Sequence, residues 1–130
     1  MTVRGVGVDL VQISAFAEQL DQPGTRFATV FTAGEQRDCR EASSDAARHF
    51  AARWAAKEAV IKAWSDSLHG EPPLLGEQIH EQIEVVKDAW GRPRIVLHGD
   101  VAKHLDGASL HVSMSHDGDH AIAYVTLETD

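Results

Sequence analysis

The chain has 130 residues, 43% of them hydrophobic and 25% charged, which suits one domain spanning residues 1–130, with a real core but little room for a deep cleft. A formal charge of −8 argues against a general nucleic-acid-binding surface, and no apolar run approaches the roughly 20 residues of a membrane span. Residues 1–11 lack the layout of a secretory leader, and Cys39, the only cysteine, reads as a reduced cytosolic thiol with a structural role.

Residues 3–11 form an apolar stretch broken by Arg4, two glycines and Asp9. It reads as a buried first strand in which Asp9 is the anomaly, because a buried carboxylate is costly unless paired or metal-bound. The G-V-G-V-D run is no dinucleotide fingerprint, since Leu10 stands where a third glycine is needed. Ser14 is placed to cap a short helix through Leu20, ended by a turn at Gln22-Pro23-Gly24. Residues 27–31 are a short apolar segment of undetermined type. Thr32 and Glu35 match a capping box, which predicts a helix over 33–40.

Ser44 or Asp45 opens the best-marked element. Residues 46–64 contain neither glycine nor proline and predict a long helix ending near Ser65, with Phe50, Trp54, Ile61 and several alanines on a broad apolar face. Residues 65–78 read as a loop. Residues 83–86 and 94–97 read as strands around a turn at 88–93, and residues 100–105 as a short helix. Residues 110–114 and 121–127 form a hairpin linked by His116-Asp117-Gly118-Asp119. The expected fold is α+β, a mainly antiparallel sheet packed against one long helix.

Glu58 and Lys62 lie one turn apart on one face of the long helix, with Arg53 and Lys57 adding cationic charge nearby. Alone, Glu58 and Lys62 amount to an ordinary helix ion pair worth ~0.2–0.5 kcal/mol. Asp9 alters that weighting. A carboxylate on an apolar strand and one from a helix packed over it suffice for Mg2+, which takes few protein oxygens and keeps water or phosphate as its other ligands. Lys62 then suits a phosphate. Residues 26–62 carry seven basic against five acidic side chains, +2 in a chain whose remainder is −10, so a locally basic face is available to an anionic ligand. The histidines show no zinc pattern, and His116, at a strand end beside Ser113 and Ser115, reads as a turn residue or a phosphate contact. No G-x-S-x-G elbow is present, which leaves serine-hydrolase chemistry without support.

G-V-G-V-D-L at 5–10, F-T-A-G-E at 31–35, R-W-A-A-K-E-A at 53–59 with Lys62 following, and S-M-S-H at 113–116 together resemble the bacterial holo-acyl-carrier-protein synthase family, over essentially the whole chain. The resemblance implies a cytoplasmic 4'-phosphopantetheinyl transferase of fatty-acid or related lipid metabolism. Such an enzyme moves 4'-phosphopantetheine from coenzyme A to a serine of an apo-acyl carrier protein, or of a carrier domain in a larger synthase, and releases adenosine 3',5'-bisphosphate. It further implies a homotrimer with active sites between subunits, Asp9 and Glu58 as magnesium ligands, and Arg53, Lys62 and His116 around the coenzyme's phosphates. Glu35 matches the family's F-T-x-x-E glutamate, for which the capping role is a sufficient account.

Two departures qualify the match. Residues 14–21 contain no basic side chain and include Glu18 and Asp21, whereas relatives often present basic residues there to the acidic carrier; docking is then expected to use Arg26, Arg37, Arg40 or another basic surface. Relatives often have a glycine-rich turn after Lys62, where this chain has Ala63-Trp64-Ser65-Asp66. Two other readings of the residues stand beside the transferase: a magnesium-dependent phosphatase or nucleotide hydrolase using Asp9 and Glu58, and a small adaptor binding an acidic partner.

Overall fold

A computed structural model describes residues 1–22, 27–42, 45–76 and 78–130. The expected turn at Gln22-Pro23-Gly24 lies largely outside the described residues, as do Arg26 and Ser44. The elements in chain order are β1 (Thr2–Gln12), α1 (Ile13–Asp21), α2 (Phe27–Val30), α3 (Ala33–Glu41), α4 (Ala46–Ser67), a 3-10 turn (His80–Gln82), β2 (Ile83–Lys87), β3 (Pro93–Leu97), α5 (Gly99–His104), β4 (Ser109–Asp117) and β5 (His120–Thr129). A three-stranded antiparallel sheet runs β1-β5-β4, and β2-β3 form a separate antiparallel pair. The α+β expectation holds.

β1 departs from its expected burial. Val6, Val8 and Leu10 are exposed, Leu10 at 63%, while the inward positions are Gly5, Gly7 and the partly buried Asp9. The physical reason is the helix above. A Cβ on Gly7 would sit 1.9 Å from the Ala59 carbonyl oxygen, and one on Gly5 2.0 Å from that of Ala63. Only glycine lets α4 lie this close, so the strand's bulk is turned the other way.

The helix meets the sheet through Ala55, Ala56, Ala59, Val60, Ala63 and Trp64, which join Ala123, Val125 and Leu127 of β5 and Ile83 and Val85 of β2 in the main core. Phe50 is buried as expected, whereas Trp54 and Ile61 are only partly so. A second cluster gathers Phe16, Phe31, Phe50 and Ala121 under α1 and α3, with the Phe31 and Phe50 rings 4.9 Å apart edge to face.

Several local expectations shift. α4 runs to Ser67 rather than Ser65, with Ser67 Oγ donating to the Trp64 carbonyl. Ser14 is not an N-cap: Gln12 occupies that position without a side-chain cap, and Ser14 is instead gripped by Asp119, whose Oδ1 accepts from the Ser14 amide at 3.0 Å while Oδ2 accepts from its hydroxyl. The carboxylate supplies from a distant turn what a local cap would have supplied. That turn is only Gly118-Asp119, because His116 and Asp117 pair within the ladder, with Ala121 and His120.

The capping box is present: Thr32 Oγ1 accepts from the Glu35 amide and Glu35 Oε1 from the Thr32 amide. Glu35 does more than cap. It is fully buried, its Oε2 accepts from the Val85 amide at 2.8 Å, and its Oε1 meets Lys57 Nζ at 2.8 Å. Lys57 also donates to the carbonyls of His80 and Ile83. This satisfied buried pair ties α3, α4 and β2 together.

Candidate active site

The glycine seam determines where the chemistry sits. Past Gly7 the next inward position of β1 is Asp9, and there the strand faces the side of α4 that carries Glu58 and Lys62. Lys62 Nζ lies 3.0 Å from Asp9 Oδ1 and donates to the Val8 carbonyl at 3.0 Å. Burial pushes the Asp9 carboxyl above its ordinary range, against the pull of Lys62, and the charge of Glu58 pushes it further the same way. Glu58 is held below the ordinary range, chiefly by the His80 imidazole directed at it, with burial opposing and the charges of His80 and Lys62 assisting. The charge of Glu58 thus reaches Asp9, and a single lysine acts on both carboxylates. The fold thus brings Asp9, Glu58 and Lys62 to one place.

The pair fits a hard divalent cation. Lys62 already places a positive charge there, against the Asp9 carboxylate and the Val8 carbonyl, hard oxygens of the kind such a cation takes. Among the described residues no group of three His, Cys, Asp or Glu side chains is arranged to hold a metal.

The other expected cations lie elsewhere. Lys57 is buried with Glu35 and adds no charge to the site, because its position on α4 points it into the core rather than along the Glu58 face. Arg53 is 2% exposed, donates to the His49 carbonyl, and has a buried Nε without a hydrogen-bond partner. Nine positions separate it from Lys62, so at 3.6 residues per turn the two point about 180° apart around α4. Cys39 and Lys87 both feel the Arg53 charge, which places that guanidinium on the α3–β2 side of the helix. His116 pairs with Ala121 in the sheet and so shares the helix-covered face with Asp9. It is exposed and two strands away from β1, roughly 10 Å at the usual strand spacing.

One residue not singled out in the sequence belongs at the site. His80 stacks on Trp54, ring centroids 4.5 Å apart and planes 12° from parallel, and its Nε2 lies 3.7 Å from Glu58 Oε2. It arrives from a loop with no periodic signal, so only the Trp54–Glu58 spacing of one helical turn hinted at a shared neighbour. A cavity of about 210 Å³ opens between Ile61, Trp64, Leu68, Leu75 and Ile79.

The sequence profile of the 4'-phosphopantetheinyl transferase superfamily matches residues 5–125. The holo-[acyl-carrier-protein] synthase of Mycobacterium ulcerans (strain Agy99) is 61% identical over 129 residues, covering 99% of both chains. Among solved structures, the acyl carrier protein synthase of Mycobacterium tuberculosis is 51% identical and superimposes with a TM-score of 0.84 over 99% of this chain and 100% of that one. The Chronobacterium ammoniagenes ACPS–CoA complex is 41% identical, with a TM-score of 0.91 over 100% and 99%.

Proposed function

Because the chain belongs to the 4'-phosphopantetheinyl transferase superfamily, we propose that it is a holo-[acyl-carrier-protein] synthase, transferring 4'-phosphopantetheine from coenzyme A to a serine of an apo-acyl carrier protein and releasing adenosine 3',5'-bisphosphate. The observation that carries the reading is the meeting of Asp9, Glu58 and Lys62 at the α4–β1 seam in a chain so similar to synthases along its length. The coenzyme held by the Chronobacterium relative supplies the donor. The whole chain, residues 1–130, is read as one such domain.

Asp9 and Glu58 would hold Mg2+, which when bound supplies positive charge to the pyrophosphate oxygens and stabilises charge on the leaving phosphate. Lys62, half-exposed and able to leave Asp9, neutralises a phosphate as a mobile point charge. The acceptor serine oxygen forms a bond to the β-phosphorus, and the bond from that phosphorus to the bridging oxygen breaks, leaving the nucleotide bisphosphate. The serine proton would pass to Glu58 or to a water it orients. The nucleophile comes from the carrier, so no activated serine is needed in this chain.

A homotrimer completes the reading. Arg53, 2% exposed and facing away from Lys62 on α4, is not placed to share a phosphate with it within one subunit, so the coenzyme's phosphates are read as meeting Lys62 and the exposed His116 across a boundary between subunits. The outward face of the sheet supports self-association: Val6, Val8, Leu10, Ile122 and Tyr124 form an exposed apolar patch, the kind of surface that monomers seldom leave in water. α1 carries Glu18 and Asp21, and the carrier is read as docking on Arg37, Arg40 or Arg26 instead. No helix among the described residues is long and apolar enough to cross a membrane; with Cys39 a free buried thiol, the location is read as cytoplasmic.

The test is the intact mass of apo-carrier before and after incubation with coenzyme A and Mg2+. A gain of one phosphopantetheinyl group, dependent on both, is expected. Nucleotide release that needs no carrier, with no mass gained, would overturn the proposal in favour of a hydrolase. Mass transfer undiminished in Glu58→Gln would overturn the metal assignment.

A further inference from the structure

His80 is held at two points. Its backbone carbonyl accepts from Lys57 Nζ at 2.9 Å, and Lys57 is itself fixed by Glu35 in the core. Its ring lies flat on Trp54, one turn before Glu58 on α4. Its Nε2 is buried and has no hydrogen-bond partner, and the nearest carboxylate to it is Glu58, 3.7 Å away. A buried ring nitrogen left without a partner is uncommon in folded proteins and calls for a physical account. A ring this firmly placed could have been an apolar aromatic at no cost to the stack, so the nitrogen needs a reason of its own.

We propose that His80 is a positioning residue for the cation site: its Nε2–H holds one oxygen of the Glu58 carboxylate, so that the other is presented to the metal. The 3.7 Å separation would close by a small rotation of the Glu58 side chain, the more exposed of the two at 30% against 12%. Ligating carboxylates are commonly oriented by such an outer hydrogen bond, and its loss costs ~10–100-fold in metal affinity. Lys57 and Glu58 thereby work as adjacent residues: the first anchors the backbone of the turn that orients the second. The inference rests on the reading of Glu58 as a metal ligand.

The experiment is Mn2+ binding to the free protein, followed by the electron paramagnetic resonance of unbound Mn2+, without coenzyme A or carrier. His80→Phe keeps the stack on Trp54 and removes the nitrogen; His80→Leu is a second variant without it; His80→Gln restores a donor without the stack. His80→Phe is expected to melt close to the parent and to bind Mn2+ ~10–100-fold more weakly. Its KM for metal should rise in parallel while that for coenzyme A stays within about threefold, and His80→Gln should recover a large part of the affinity. Parent-like Mn2+ affinity in either His80→Phe or His80→Leu overturns the proposal. So does a His80→Gln as weak as His80→Phe, which would assign the loss to packing. Glu58→Gln separates the two levels: if it binds Mn2+ like the parent, the metal reading falls and this inference with it; if it does not while His80→Phe does, only this inference falls.

Discussion

Gly7→Ala tests whether the α4–β1 seam sets the geometry of the site. The added Cβ would lie 1.9 Å from the Ala59 carbonyl oxygen and 2.7 Å from the Ala63 amide nitrogen, where ordinary contact begins near 3.4 Å. Both neighbours are backbone atoms inside a helix and cannot rotate aside, so α4 must lift from the strand by about 1.5 Å or β1 must part from β5. Overpacking of this kind costs typically ~1–3 kcal/mol, which for a chain of 130 residues lowers the melting temperature by roughly 3–12 °C. Function should suffer more than stability. Asp9 is two residues along the same strand and Glu58 one residue before the contact on the helix, so the shift opens the Asp9–Lys62 distance of 3.0 Å. A misplacement near 1 Å costs ~100-fold in rate. Thermal melts by circular dichroism and steady-state transfer to apo-carrier measure the two effects on one preparation. A variant that melts within about 2 °C of the parent and keeps its kcat within about threefold would refute the reasoning.

Lys57→Met leaves Glu35 as an uncompensated buried charge and should cost ~3–5 kcal/mol in urea denaturation, with Lys57→Met/Glu35→Gln recovering part of it; a loss below about 1 kcal/mol for the single variant would contradict the described pairing. Burial first raises the Cys39 thiol from 9.0 to about 11, Arg53 opposing. The unfolded chain therefore releases that proton first as pH rises, so the contribution is complete below pH 9 and is lost as pH climbs towards 11. The parent should lose on the order of 1 kcal/mol more than Cys39→Ala between pH 8 and pH 10, measured by urea midpoints. Val8→Glu places a carboxylate in the exposed apolar face of the sheet and should convert a sedimenting trimer into monomer; a parent that sediments as a monomer would remove the shared-site reading.

The elements that announce themselves locally were legible. The long helix shows in an uninterrupted run of good helix formers, the capping box in four residues, and the β4–β5 pair in alternation around a glycine. Asp9 and Glu58 were suggested as a pair because a carboxylate on an apolar strand demands a partner, and the family resemblance made the suggestion specific. What escaped the sequence depends on residues brought together from afar. Ser14 looks like a cap, but its own carboxylate partner lies 105 positions away. Lys57 looks like one more surface cation on a basic helix until Glu35, 22 positions earlier, is seen beneath it. The valines of β1 suggest burial, yet two glycines decide which face the helix takes. His80 sits in a loop, where nothing periodic marks a functional residue.

The bond between Lys62 and Asp9 gives the free protein a further property. With its ammonium between a backbone carbonyl and a carboxylate, Lys62 acts as a resident counterion, leaving the trio of Asp9, Glu58 and Lys62 with one net negative charge. On the proposed reading, a divalent ion entering there would exchange for the ammonium, not simply add to an empty hole. The trio would then carry one net positive charge and a released lysine free to swing outward. On that reading the loaded site, with Lys62 counted, would attract a polyphosphate that the free site repels. Donor binding and cation binding would then reinforce one another, as linkage requires of two ligands whose sites share a charge.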